Sequence, residues 1–224
     1  MRGKFITLEG GEGTGKSTQA AMLALRLESQ GLAVQLTREP GGSPGAEIIR
    51  HVLLTGAAKP LGADVEAMLF AAARDDHVQC TILPALQSGR WVVCDRFADS
   101  TRVYQGVLGQ VDQRLINVLE RVSVGDLTPD LTVILDLSVE IGLERANHRR
   151  GSAAADRFEG EGAESHEKLR EAYLAIASRE PDRCVVIDAS ATKEVVANAI
   201  WQAVETRFGP SAIAQLDEPP AANV

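Results

Sequence analysis

Apolar positions along this 224-residue chain follow two patterns. Short unbroken apolar runs, each closed off by glycine, proline or charge, fall at 4–9, 33–37, 91–95, 131–137 and 184–188. Runs of that length predict buried strands. Between them the apolar residues recur at helical spacing. Ala20, Leu23, Ala24 and Leu27 predict a helix starting near Lys16, and Ile48, Ile49, Val52 and Leu53 one over 45–54, with Arg50 on its other face. Val65, Met68, Leu69 and Ala72 predict the core stripe of a long helix over 64–88, with Asp64 as its N-cap and a break or bend near Leu83, ahead of Pro84. Leu115, Val118, Leu119 and Val122 mark a helix over 112–122. Further helices follow from about Val139, over 164–179, and through Val195, Val196, Ala199, Ile200, Ala203 and Val204. Strands that alternate with helices predict an α/β fold with a parallel sheet covered on both faces, one domain over 1–208. From Gly209 the chain turns rich in proline and alanine, which predicts a disordered tail over 209–224.

The turn between the first strand and first helix reads Gly10-Gly11-Glu12-Gly13-Thr14-Gly15-Lys16-Ser17, followed by Thr18. It fits the phosphate-binding pattern G-x-x-x-x-G-K-[ST], and strand, glycine turn, helix is the context that pattern needs. Glycines let backbone N–H groups converge on phosphate oxygens, and the helix N-terminus adds partial positive charge to the full charge of Lys16. The Ser17 hydroxyl suits Mg²⁺ carried by a triphosphate, and Asp95, at the end of an apolar strand, suits the second acidic element of the same metal shell.

Charge narrows the partners. The formal net charge is −8, which argues against a nucleic-acid coat or a polybasic membrane anchor. Hydrophobic residues make up 45% of the chain, enough for a sizeable core, but no run of 18 apolar residues predicts a membrane span. Cys80, Cys94 and Cys184 are widely spaced, without C-x-x-C, and read as buried thiols of a reducing compartment. With a first strand that starts at once and leaves no room for a signal peptide, the expected location is cytoplasmic.

Against this acidic background the arginines cluster. Arg145, Arg149, Arg150 and Arg157 precede or occupy a stretch rich in small residues and glycine, which predicts a mobile lid over about 145–163. Arg38-Glu39-Pro40-Gly41-Gly42 lies at a strand's carboxyl end, where ligands of open α/β sheets sit, though a plain strand-to-helix turn explains it equally. Phe70 and Arg74 share a helix face; spacing alone makes them a core aromatic and a solvated arginine, or a pair that stacks on a base and bonds its edge. A signalling GTPase would need N-K-x-D and D-x-x-G, and the chain contains neither. An ATPase module of an assembly, or a kinase of another small acceptor, fits the phosphate loop as well.

Five segments together carry a family resemblance over 1–208: 9–17, 37–42, 70–74, 95–100 with Tyr104-Gln105-Gly106, and 156–159. The chain resembles the bacterial thymidylate kinases. The resemblance implies transfer of the γ-phosphoryl group of ATP to dTMP, an Mg²⁺ requirement, a homodimer, and a five-stranded parallel sheet of order 2-3-1-4-5. It also implies roles. Phe70 is similar to the residue that stacks on thymine, and Arg74 to the one bonding its O4 edge, with Thr101 and Gln105 as further base contacts. Arg50 and Arg96 resemble acceptor-phosphate ligands, and Ser100 belongs to the same acceptor site. Glu39 is similar to a residue near sugar and metal, and Tyr104 to an aromatic wall against a 2′-hydroxyl. Arg145 resembles a residue stacked on adenine. Glu12 and Arg149 join Lys16 and Arg96 as catalytic candidates, Arg149 because the phosphate loop has no arginine of its own. Val103, where a small alanine is usual, and an extended lid depart from the family pattern.

Overall fold

The computed structural model describes residues 2–150 and 162–213, with only the backbone of Arg149, Arg150 and Ser211. Its elements run β1 (Phe5–Gly10), α1 (Lys16–Ser29), β2 (Val34–Arg38), α2 (Pro44–Leu54), α3 (Ala63–His77), α4 (Leu83–Gln87), β3 (Trp91–Asp95), α5 (Ala98–Thr101), α6 (Gln113–Val124), β4 (Leu131–Asp136), α7 (Val139–Arg150), α8 (Ala163–Arg179), β5 (Cys184–Asp188), α9 (Lys193–Phe208) and α10 (Pro210–Ile213). The five strands form one parallel sheet of order β2-β3-β1-β4-β5, as the resemblance implied.

The central strand dictates the layering. Every residue of β1 is buried, and its side chains alternate between faces. Ile6 and Leu8 enter a core with Leu23 and Leu27 of α1 and Val196, Ile200 and Val204 of α9. Phe5 points the other way, into a core with Val78, Ile82, Leu86 and Phe97. Thr7 and Glu9 share that second face by the same alternation, and Thr7 is hydrogen-bonded to Thr132 across the sheet at 2.8 Å. A third cluster seats Tyr173 and Leu169 of α8 on Ile134 of β4 beside Val103 and Tyr104.

Several expectations change. The long helix does not break at Pro84. It widens into a π segment, Val78–Ile82, and continues as α4, because a looser turn accommodates the missing N–H and the ring of a helical proline. Gly62 rather than Asp64 is the N-cap of α3, and Asp64 sits in the first turn, where its charge favours the helix dipole. The segment after β3 is α5 followed by a π helix, Arg102–Leu108.

The apolar stripe of α3 is not the core stripe expected, and those of α2 and α6 reach the surface in part, although Leu53 is buried. Ile48 is 72% exposed and Val122 73%, and Met68 and Val118 are exposed too. The side of α3 turned inward carries small or charged groups, among them Ala67, Ala71, Glu66 and Arg74. Helical periodicity finds an apolar face but cannot say what covers it. Cys94 and Cys184 are buried as expected, whereas Cys80 is exposed. The fold continues past Gly209, where a tail was expected: Pro210–Ile213 is helical, and Ile213, 4% exposed, packs into the α1–α9 core. Residues 214–224, and 151–161 of the expected lid, lie outside the described residues.

Candidate active site

The phosphate loop leaves β1 and is drawn tight by close backbone approaches. Gly13 has φ +70° and faces Gly142 of α7 so closely that a Cβ would come within 1.9 Å of the Gly142 carbonyl oxygen. Only glycine fits there. No side chain caps α1, so the N–H groups of its first turn face the loop without an intrahelical acceptor.

Lys16 is 7% exposed, not solvent-facing. Its Nζ donates to the carbonyls of Gly10 at 3.0 Å and Gly11 at 2.6 Å. Burial, then the nearby Arg96 charge, lowers its pKa to about 8. Ser17 Oγ donates to Asp95 Oδ2, and Asp95 Oδ1 is buried with no hydrogen-bond partner among the described residues. An orphaned carboxylate oxygen beside a serine hydroxyl is the donor set a hard cation uses, so these residues fit Mg²⁺.

A cavity of about 350 Å³ opens next to the loop. Of the expected residues, Glu12, Gly13, Gly15, Lys16, Ser17 and Thr18 line one end. Glu39, Arg50, Phe70, Arg74, Asp95, Arg96, Ser100, Thr101, Tyr104 and Gln105 line the rest. Gly10, Gly11 and Thr14 lie behind this wall; Thr14 Oγ1 holds the loop by donating to the Gly11 carbonyl at 3.0 Å.

The side chains at the far end of the cavity are locked to one another. Arg74 is neither solvated nor loosely aimed at the cavity. It is 3% exposed, and its Nε donates to Glu39 Oε2 at 2.8 Å, Nη1 to Thr101 Oγ1 at 2.9 Å and Nη2 to the Phe97 carbonyl at 3.2 Å. Glu39 Oε1 lies 3.0 Å from His77 Nδ1, whose Nε2 lies 2.7 Å from Thr37 Oγ1. The Arg-Glu loop is thus tied down by a buried pair and is no plain turn. Arg50 Nη1 donates to the Pro40 carbonyl at 2.5 Å. Gln105 is buried, and its Nε2 has no acceptor among the described residues, a donor waiting for one from a ligand.

Arg96 is the hub. Its backbone has φ +70°, a conformation costly for any residue but glycine and commonest at functional sites. Nη2 donates to Glu12 Oε1 at 2.5 Å and Tyr104 Oη at 3.0 Å, and Nη1 to the Gly10 carbonyl at 3.2 Å. Tyr104 Oη in turn donates to Glu12 Oε1 at 3.1 Å. Burial pushes the Tyr104 phenol far above its ordinary range, so it stays protonated.

With this geometry in view, comparison with known proteins adds the family. The family model described as thymidylate kinase matches residues 8–200. The chain is 63% identical to the thymidylate kinase of Nitrobacter winogradskyi over 207 residues, covering 92% of this chain and 90% of that one. It is 61% identical to that of Bradyrhizobium sp. strain ORS 278, over 92% of each, and 62% to that of Rhodopseudomonas palustris strain CGA009, over 93% of this chain and 91% of that one. The chain belongs to the thymidylate kinase family. It is therefore a kinase of nucleotide biosynthesis, and its phosphate loop is the P-loop of that enzyme class.

Of the expected residues, Arg145 stands apart from the cavity. Arg145 is anchored on the loop after β5, donating to the carbonyls of Ala189 at 2.9 Å and Ser190 at 3.1 Å. The Arg149 side chain lies outside the described residues. Other residues of this thymidylate kinase site went unread. Leu54 and Phe97 line the cavity, and Glu9, His77 and Tyr173 support it. Glu9 carried a signal, a carboxylate at the end of an unbroken apolar strand. Tyr173 carried none, since it reads as one more apolar position of α8.

Proposed function

We propose that ATP and dTMP meet in this cavity, with the triphosphate on the P-loop and the acceptor nucleotide between Arg96 and Phe70. The observation that carries the reading is one cavity holding both a P-loop lysine and a buried, unpartnered amide donor, Gln105 Nε2. The lysine suits phosphate; the amide suits a pyrimidine carbonyl. Phe70 offers the stacking face, and Arg74, held rigid by Glu39 and Thr101, offers its remaining N–H groups to the base edge. Arg96 and Arg50 take the acceptor phosphate.

Phosphoryl transfer needs in-line positioning and neutralised charge more than covalent help. On triphosphate binding Lys16 exchanges the Gly10 and Gly11 carbonyls for phosphate oxygens and regains full charge. Ser17 and Asp95 would hold Mg²⁺, which supplies further neutralisation when bound. Tyr104, fixed by Arg96 and Glu12, presents its ring as the wall that excludes a 2′-hydroxyl. Arg149 of the lid supplies the arginine that the P-loop lacks, and Arg145 borders the adenine. Residues 1–208, extended through α10 to Ile213, act as one domain, with the lid over about 145–163.

We also assign this chain to a cytoplasmic homodimer. The exposed apolar residues of α2, α3 and α6 support the dimer: the three helices pack side by side, and Ile48, Met68, Val118 and Val122 leave an unpartnered apolar face.

The test is ADP release from ATP across dTMP, dUMP, UMP, CMP, AMP and GMP. dTMP is expected to be best and dUMP weaker, because filling a methyl niche is worth about 1–3 kcal/mol. UMP is expected to be very poor. UMP or AMP turnover equal to that of dTMP would overturn the acceptor assignment.

A further inference from the structure

The alternation of β1 sends Glu9 to the α5–α8 face, the only charged side chain of that strand. It is fully buried. A carboxylate there must be compensated or it would cost the fold several kcal/mol. Its compensation comes from the residues around Arg96. Oε1 accepts from the Phe97 backbone N–H at 2.7 Å, which fixes the peptide directly after Arg96. Oε2 accepts from Ser100 Oγ at 2.7 Å and Tyr173 Oη at 3.1 Å.

Those two hydroxyl oxygens lie 2.9 Å apart, and both receive Arg96 Nη1, Ser100 at 3.3 Å and Tyr173 at 3.2 Å. A hydroxyl has one hydrogen to give. With both hydrogens turned to Glu9, both oxygens present lone pairs to the guanidinium. The carboxylate thus orients the acceptors that aim Arg96, and it anchors the main chain of a residue held at φ +70°.

We infer that Glu9 is a positioning residue for acceptor-phosphate binding, acting on Arg96 through Ser100, Tyr173 and the Phe97 amide. The inference rests on the reading that Arg96 binds that phosphate. Glu9 itself touches no substrate; it lies beneath the cavity wall that Arg96 and Ser100 form.

The surroundings agree. Burial, then the charge of Asp99, raises the Glu9 pKa to about 7, while Arg96 and the bonds from Ser100 and Phe97 hold it down. Lys16, Cys94 and Tyr173 are the other titratable groups that feel its charge. Near neutral pH, protonation of Glu9 puts its own hydrogen among the two hydroxyls and weakens their aim. Affinity for the acceptor phosphate therefore falls as pH drops through about 7.

The test is Glu9→Gln, which keeps the size and removes the charge. Its amide N–H groups would compete with Arg96 for the same two oxygens. The KM for dTMP should rise on the order of tenfold, the scale of one lost hydrogen bond to a charged group, with the KM for ATP nearly unchanged. Thymidine, which lacks the phosphate, should bind the variant as it binds the wild type in calorimetry. The inflection near pH 7 in kcat/KM for dTMP should vanish. Tyr173→Phe removes one of the two hydroxyls without changing charge, and should move the dTMP KM the same way by a smaller factor. It keeps the idea testable if Glu9→Gln fails to fold. An unchanged dTMP KM in both variants, or equal weakening of dTMP and thymidine, would overturn the inference. Arg96→Gln separates it from the reading beneath. If Arg96→Gln leaves dTMP binding intact, the phosphate assignment itself fails; if it weakens dTMP while Glu9→Gln does not, only the role of Glu9 fails.

Discussion

The two ends of the cavity are built on different principles. At the acceptor end, side chains satisfy one another before any ligand arrives: Arg74 with Glu39, His77 with Glu39 and Thr37, and Arg96 with Glu12, Tyr104, Ser100 and Tyr173. At the donor end one lysine rests on the carbonyls of its own loop, and a carboxylate oxygen of Asp95 has no partner. The difference teaches which half carries selectivity. In the proposed reading, a rigid, prepaired surface is what discriminates between bases and sugars. A backbone loop with one exchangeable lysine needs only to recognise phosphate, which every nucleoside triphosphate shares.

The contrast breaks most visibly at Lys16. Lys16→Ala should lower kcat by about 10³-fold, the upper range for removing one preorganised donor. Its melting temperature should stay close to wild type, because each freed carbonyl keeps a second donor, Arg96 Nη1 on Gly10 and Thr14 Oγ1 on Gly11. A large drop in melting temperature would mean that the donor end is prebuilt as well. At the acceptor end the balance reverses. Glu39→Gln strips the charge between two buried partners and should destabilise the fold by about 3 kcal/mol, the low end for a broken buried pair. Urea denaturation checks this; no loss of stability would show that the Arg74–Glu39 pair is not holding the site.

Arg149→Ala should lower kcat by about 10²-fold with a smaller change in the dTMP KM, as for a donor used chiefly in the transition state. Steady-state kinetics on Arg149→Ala, Arg150→Ala and the double variant decide it. Near-normal kcat in all three would leave the lid as a cover only. The smallest effect is protonic. Lys16 titrates near pH 8 in the free protein and regains a full charge beside the triphosphate. ATP binding at that pH should therefore take up about half a proton. Calorimetry in buffers of different ionisation heat measures it, and release of a proton would contradict the sign.

Sequence pattern located the parts of this molecule whose cause is local. The strands were legible because β1 and β4 are buried along nearly their whole length, and the P-loop because its glycines, lysine and serine are consecutive. The cavity residues of β3 and α3 needed the family resemblance: Arg74 and Phe70 have the spacing of any helix face, and only a tertiary partner such as Glu39 gives them meaning. Apolar periodicity misled on α3, whose Met68 joins Ile48, Val118 and Val122 of α2 and α6 in a face that this chain alone leaves exposed. It misled again at Ile213, a single apolar residue in a stretch whose composition reads as tail. Glu9 and Tyr173 are 164 residues apart and meet only in the fold.

The account stands most directly on whether the acceptor end is complete without the donor. Calorimetric titration of dTMP into the nucleotide-free protein measures this. The prepaired network predicts saturable binding of one dTMP per chain, with a Kd that changes by less than about fivefold when a non-hydrolysable ATP analogue and Mg²⁺ are added, below the usual range of allosteric coupling. dTMP that binds only once the analogue is present would show that the donor builds the acceptor site, and would contradict the division drawn between the two ends.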